Sequence, residues 1–128
     1  MVFSTLEEAA KVADLLAESD FEKADCRWES SGSLFRLETA RPDAGTLRGG
    51  GLFRKGKSDW IRCRLTIRHV QVVSLWEEYD VKPPLSRLIQ VEPAEAGFII
   101  RFSSTHGLRV ELSVNRLDGV LEESEHFR

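Results

Sequence analysis

Hydrophobic and polar positions divide this chain into one helical stretch followed by a long series of extended ones. Leu6, Ala9, Ala10, Ala13, Leu16 and Ala17 recur at helical spacing, while Glu7, Glu8, Lys11, Asp14 and Glu18 take the opposite side. Ser4-Thr5-Leu6-Glu7 fits a capping box, in which Ser4 accepts from the amide three residues on and Glu7 reaches back to the amide of Ser4. The spacing predicts a helix over about residues 4–19. A helix of this length is marginal alone in water, and its alanine-rich stripe suits close packing on a neighbouring surface.

From residue 24 onward the period changes to two. Segments 24–30 and 33–40 flank the Ser31-Gly32 turn of a hairpin, with Phe35, Leu37 and Thr39 on one face and Arg36 and Glu38 on the other. Residues 41–57 predict a long mobile loop, with Pro42 and four glycines within 41–51 alone. Ile61, Cys63, Leu65 and Ile67 then alternate with Arg62, Arg64, Thr66 and Arg68, the clearest strand of the sequence, placed at 59–69. The alternation slips at His69-Val70, where a bulge or sharp corner is expected before a strand at 70–76. Trp76 to Asp80 and Lys82-Pro83-Pro84 read as a connection, since consecutive prolines cannot sit inside a sheet. Strands at 87–92, 97–103 and 108–115 follow, then an Asp118-Gly119 turn, Val120-Leu121 and an acidic tail over 122–128 expected to fray. Short loops imply antiparallel neighbours, and half-polar strands imply a sheet with one wet face. The expected fold is α+β: an N-terminal helix packed on a mainly antiparallel, strongly curled sheet of about six to eight strands, in one domain spanning residues 1–128.

Composition sets limits on class. With 128 residues, 41% of them apolar and 30% charged, the chain has ordinary globular proportions and enough length for one core. Its first residues hold no basic leader, and no segment approaches the roughly 20 apolar residues of a membrane span. A cytoplasmic location without a membrane partner is therefore expected. Cys26 and Cys63 are too few for a disulfide scaffold and are expected as reduced, small core side chains. The net charge of −3 conceals a division, with −5 over residues 1–40, +6 over 41–69 and −4 over 70–128.

Gly51-Leu52-Phe53-Arg54-Lys55-Gly56-Lys57-Ser58 matches GxxxxGKS, the nucleotide-binding loop. That mechanism requires a buried strand leading in and a helix starting at the end, whose free amides hold the phosphates. Here a loop rich in glycine leads in and strand periodicity follows, so nucleotide binding is not expected. His69, His106 and His126 lie far apart, with no spacing that suits a metal. Cys63 and His69 lie about 20 Å apart if they share one strand, and Ser104, Thr105 and His106 are neighbours in a turn. Glu77-Glu78 and Glu122-Glu123 are adjacent rather than facing. No catalytic residue, metal ligand or cofactor emerges from these patterns.

Two surfaces remain. Arg62, Arg64 and Arg68 share a strand face with Trp60, and Arg48, Arg54, Lys55 and Lys57 precede them. Arginines beside an aromatic can neutralise phosphates and stack a base. Against this, Glu38, Glu92 and Glu111 occupy comparable wet-face positions from which to pair with those arginines. A sequence pI of about 5.7 also departs from the footprint of a nucleic-acid binder. The second surface is Trp76, Glu77, Glu78 and Tyr79, either an exposed recognition loop for a basic partner or a segment whose aromatics anchor the sheet edge. The expected function is a non-enzymatic protein-interaction module of regulatory, inhibitor-like or assembly type, using these segregated charges with a protein partner. The alternative is a binder of an anionic small molecule or single-stranded nucleic acid through residues 48–68.

Overall fold

The computed structural model describes residues 1–42, 60–78 and 88–126. In chain order the elements are β1 (Val2–Phe3), α1 (Leu6–Leu15), β2 (Cys26–Glu29), β3 (Leu34–Pro42), β4 (Trp60–Ile67), β5 (Val70–Glu77), β6 (Ile89–Ala94), β7 (Gly97–Ser103), β8 (Leu108–Val114) and β9 (Gly119–His126). They form an α+β fold dominated by strands. A single curled sheet of six to eight strands gives way to two antiparallel sheets, ordered β1-β9-β4-β3-β2 and β5-β8-β7-β6.

The division has its origin at the slip in alternation, which is a corner. Only Arg68 and His69 separate β4 from β5, and only residues 115–118 separate β8 from β9. Because β4 pairs with β9 and β5 pairs with β8, one two-stranded ribbon runs from the first sheet into the second. His69 makes the corner with φ of 62°, a left-handed conformation that few non-glycine residues adopt. The bend is tied across its width. Arg68 N–H donates to the Asp118 carbonyl at 2.9 Å, and Asn115 N–H donates to the His69 carbonyl at 3.3 Å. The His69 ring adds a contact of 3.0 Å between Nε2 and Asp118 Oδ2.

Inward-facing residues of both sheets meet in one core. Phe35 of β3 stacks on Phe102 of β7 with ring centroids 5.6 Å apart, and Phe21 meets the same ring edge-on at 6.4 Å. Leu37, Cys63, Leu65, Ile67 and Leu121 of the first sheet are buried with Ile100, Val110 and Leu112 of the second. Each large side chain so buried contributes about 1.5–3 kcal/mol. α1 adds Ala9, Val12 and Ala13 and packs against both β6 and β1, which are edge strands of different sheets. The helix thereby bridges the two sheets on one side.

Several boundaries differ from the periodicity for local reasons. Thr5 rather than Ser4 caps α1, its Oγ1 accepting from Glu8 N–H at 3.1 Å, while Glu8 Oε1 accepts from Ser4 N–H at 2.8 Å. The same Ser4 amide holds the Glu8 carboxyl below its ordinary value. The helix stops at Leu15, short of residue 19, because the buried Leu16 leaves helical geometry and Ala17 N–H turns back to Asp14. The segment expected to fray after Glu122 is instead strand as far as His126. Its carboxylates are matched by basic residues: Glu122 lies opposite Arg64, and Glu123 forms an ion pair with Arg41. Arg41 and Pro42 continue β3, and the remainder of the expected loop, 43–57, lies outside the described residues. β5 extends through Glu77, one residue beyond the strand expected at 70–76. β1 has too few residues to carry a readable period.

Gly97, at the tight turn between β6 and β7, has φ of +140°, and a Cβ there would lie 2.0 Å from the Val114 carbonyl oxygen. Gly97→Ala is expected to lower unfolding free energy in urea by about 1–3 kcal/mol. An unchanged urea midpoint would contradict that close approach of β7 to β8.

Candidate functional site

β4 turns Ile61, Cys63, Leu65 and Ile67 inward and Trp60, Arg62 and Arg64 outward. The outer face is balanced rather than basic. Arg64 Nε donates to Glu38 Oε2 at 2.6 Å, with Glu122 opposite Arg64 on its other flank. A shallow depression of about 270 Å³ on this face is lined by Glu38, Arg62, Arg64 and Glu122, and its neighbour of about 480 Å³ adds Asp20 and Asp25. Glu92 and Glu111, expected to pair with the same arginines, belong to the second sheet and pair there with Arg101 at 3.0 and 2.8 Å. The Glu111 and Glu92 hydrogen bonds, in that order, raise the Arg101 pKa.

The structure thus brings Trp60, Arg62 and Arg64 onto one face, while Arg68 is carried away by the corner. Arg48, Arg54, Lys55, Lys57 and Tyr79 lie outside the described residues, as does the whole GxxxxGKS segment. Strand from Trp60 to Ile67 nevertheless occupies the positions where a nucleotide-binding loop requires its helix.

Trp76 is exposed rather than tucked under the sheet, but it lies on a strand rather than a loop. It sits on β5, opposite Arg109 on the outer face of the second sheet, and is 38% exposed. Its Nε1–H donates to Glu78 Oε1 at 2.9 Å, and Arg109 Nε lies 3.7 Å from the same oxygen. Arg109 is buried, with Nη1 donating to the carbonyls of Ser104 and Leu108. Val72 is 54% exposed and Leu75 38% on the same strand. Among the described residues β5 pairs with β8 alone, so these apolar groups line a sheet edge.

The remaining polar groups build structure. Ser104 is fully buried, and its Oγ accepts from the amides of Leu108 at 2.9 Å and His106 at 3.3 Å. The Asp20 carboxylate accepts from both the amide and the hydroxyl of Thr105, and His106 Nδ1 lies 3.7 Å from it. No hydroxyl in this turn is directed at the imidazole, as an activated nucleophile requires. Thr39 Oγ1 donates to the Asp20 carbonyl at 2.6 Å, so Asp20 ties β3 to the β7–β8 turn. Both thiols are raised to about 11: Cys26 by burial and then Asp25, Cys63 by burial and then Glu123 with Arg41 opposing. Neither is a thiolate near neutrality. Among the described residues no group of three or more His, Cys, Asp or Glu is placed to hold a metal, and no helix is long and apolar enough to cross a membrane.

Comparison with protein-family models, with curated proteins and with solved structures finds no match for this chain.

Burial alone would raise the Asp20 carboxyl, but the Thr105 hydroxyl and amide, the Phe21 amide and His106 together bring it below its ordinary 3.8. A depressed folded-state value contributes stability that is present above the unfolded value and lost as pH falls through the folded one. Between pH 7 and acid below that value, the urea midpoint of the native chain should therefore fall further than that of Asp20→Asn. Equal falls would remove Asp20 as the tie. Native Cys63 and Cys26 should also alkylate more slowly at pH 8 than after unfolding, and equal rates would contradict their burial.

Proposed function

We propose that this chain is a non-enzymatic protein-interaction module, of regulatory, inhibitor-like or assembly type, whose principal contact surface is the edge strand β5. The observation that carries this reading is the exposure of Val72, Leu75 and Trp76 on one edge strand. Its only charged residue is Glu77. Sheet edges in folded proteins are protected from pairing by short length, charge, proline or a covering element. The other edges have such protection. β1 has two residues, β2 carries Arg27 and Glu29, and β6 carries Glu92 and Pro93 with α1 packed against it. β5 has eight residues and a bulge only at its start, between Val70 and Val72. Strand addition to such an edge takes affinity from main-chain hydrogen bonds and specificity from alternate side chains.

Segregated charge enters this proposal as the rim rather than the centre of the contact. Binding of an anionic small molecule or single-stranded nucleic acid at Arg62 and Arg64 would have to compete with Glu38 and Glu122, which favours the edge reading. The unpaired thiols support a reducing, cytoplasmic setting.

The test immobilises the native chain and compares recovery of a native-host partner with two double variants, Val72→Lys/Trp76→Lys and Arg62→Ala/Arg64→Ala. The edge pair should lower affinity by about tenfold or more, equivalent to about 1.4 kcal/mol, with an unchanged circular dichroism spectrum. Loss confined to the arginine pair would transfer the function to the basic face.

A further inference from the structure

The hydrogen bonds of β5 fix which of its main-chain groups face β8 and which face away. Glu78 N–H donates to the Gly107 carbonyl at 2.8 Å, in register with the β5–β8 ladder. Antiparallel pairs alternate between bonded and non-bonded, so Ser74 and Trp76 direct their main-chain groups at β8. The intervening Val73, Leu75 and Glu77 direct theirs away from it. The other flank of β8 agrees, because Ser104 N–H donates to the Leu108 carbonyl, in register with the β7–β8 ladder.

The side chains of β5 are complementary to themselves. Val73 and Leu75 lie on the face of Leu112 and Val110, and Val72, Ser74 and Trp76 lie on the face of Ser113, Glu111 and Arg109. When two identical strands pair antiparallel about a two-fold axis, opposed side chains share a face, so the axis passes through a residue. An axis at Ser74 sets Val72 against the partner's Trp76 and Val73 against the partner's Leu75. Every partly exposed apolar side chain of the strand then meets another. An axis at Val73 would set Leu75 against Gln71, and one at Leu75 would set Val73 against Glu77. The Ser74 register also forms its hydrogen bonds from the outward-facing groups of Val73 and Leu75.

Charge favours the same arrangement. From Val70 to Trp76 the strand is uncharged, so the paired centres do not repel. Antiparallel pairing places Glu77 and Glu78 at the end of the partner strand that adjoins its exposed Arg68 and Arg116. Symmetry repeats that opposition at the other end.

We infer that the occupant of the β5 edge is a second copy of this chain, paired antiparallel about a two-fold axis at Ser74. This dimer rests on the interaction reading above and names its partner. The assembly is a continuous sheet of the two second sheets, with the two first sheets at its ends. A contact of this isologous kind closes on itself and does not propagate.

Sedimentation of the full chain over a concentration series up to about 1 mM tests the dimer, and cysteine pairing tests its register. Ser74 would face its own copy as a non-hydrogen-bonded pair with Cα atoms about 4.5 Å apart, within reach of a disulfide. Under mild oxidation Ser74→Cys should form a covalent dimer, while Val72→Cys and the native chain should form little. Ser74→Lys, which opposes two ammonium groups at the axis, should weaken the dimer and lose part of that effect at high salt. A chain that stays monomeric over the whole series overturns the inference. So does a dimer in which Val72→Cys cross-links as well as Ser74→Cys. If a monomeric chain still loses a host partner through Val72→Lys/Trp76→Lys, only self-pairing fails. If that variant has no effect either, the interaction reading fails with it.

Discussion

The turn of the β4–β9 ribbon into β5–β8 is the constraint on which the molecule depends. Two residues on one strand and four on the other must carry both chains between sheets, and main-chain hydrogen bonds on either side of His69 hold them together. Beyond the corner, among the described residues, β5 lacks the second neighbour that β4 has. β4 lies between β9 and β3, but β3 begins at the corner, with Phe35 opposite Ile67. Its last link to β5 is the bond from Val70 N–H to the Ser33 carbonyl at 3.0 Å. Ser33, at φ of 53°, turns the chain from β2 into β3. Among the described residues, the open edge of β5 is thus a consequence of where β3 begins.

Charge has a different role from the one its distribution along the chain suggests. The arginines of β4 and the acidic residues near the end of the chain look like opposite surfaces when read in order. Folding interleaves them, through Arg64 with Glu38 and Glu122, and Arg41 with Glu123. Exposed pairs of this kind contribute about 0–1 kcal/mol each. Their larger effect is to fix register and cancel the local field, which leaves apolar exposure on β5 as the more specific surface signal.

Much of the fold was legible in the chain. Strict alternation at Ile61, Cys63, Leu65 and Ile67 located β4, and the slip at His69-Val70 located the corner. The division into two sheets was not legible, because alternation reports which residues face inward but not which sheet they face. β1 carries no period, and β9 resembled a solvated tail because its acidic residues have partners some sixty and eighty positions earlier. The edge was hidden for a related reason. Val72 and Leu75 fall within the strand expected at 70–76, and their exposure follows from β5 pairing, among the described residues, with β8 alone, which no local pattern encodes. Trp76, read with the acidic aromatic segment as a loop or an edge anchor, lies exposed on a strand.

Amide hydrogen exchange along β5 reports most directly on whether this edge is the working surface. Ser74 and Trp76, bonded to β8, should be protected at every protein concentration. Val73 and Leu75 should exchange rapidly in dilute protein and become protected as concentration rises. Rapid exchange at Val73 and Leu75 at all concentrations, or protection that does not depend on concentration, would contradict a β5 edge that waits for a second copy.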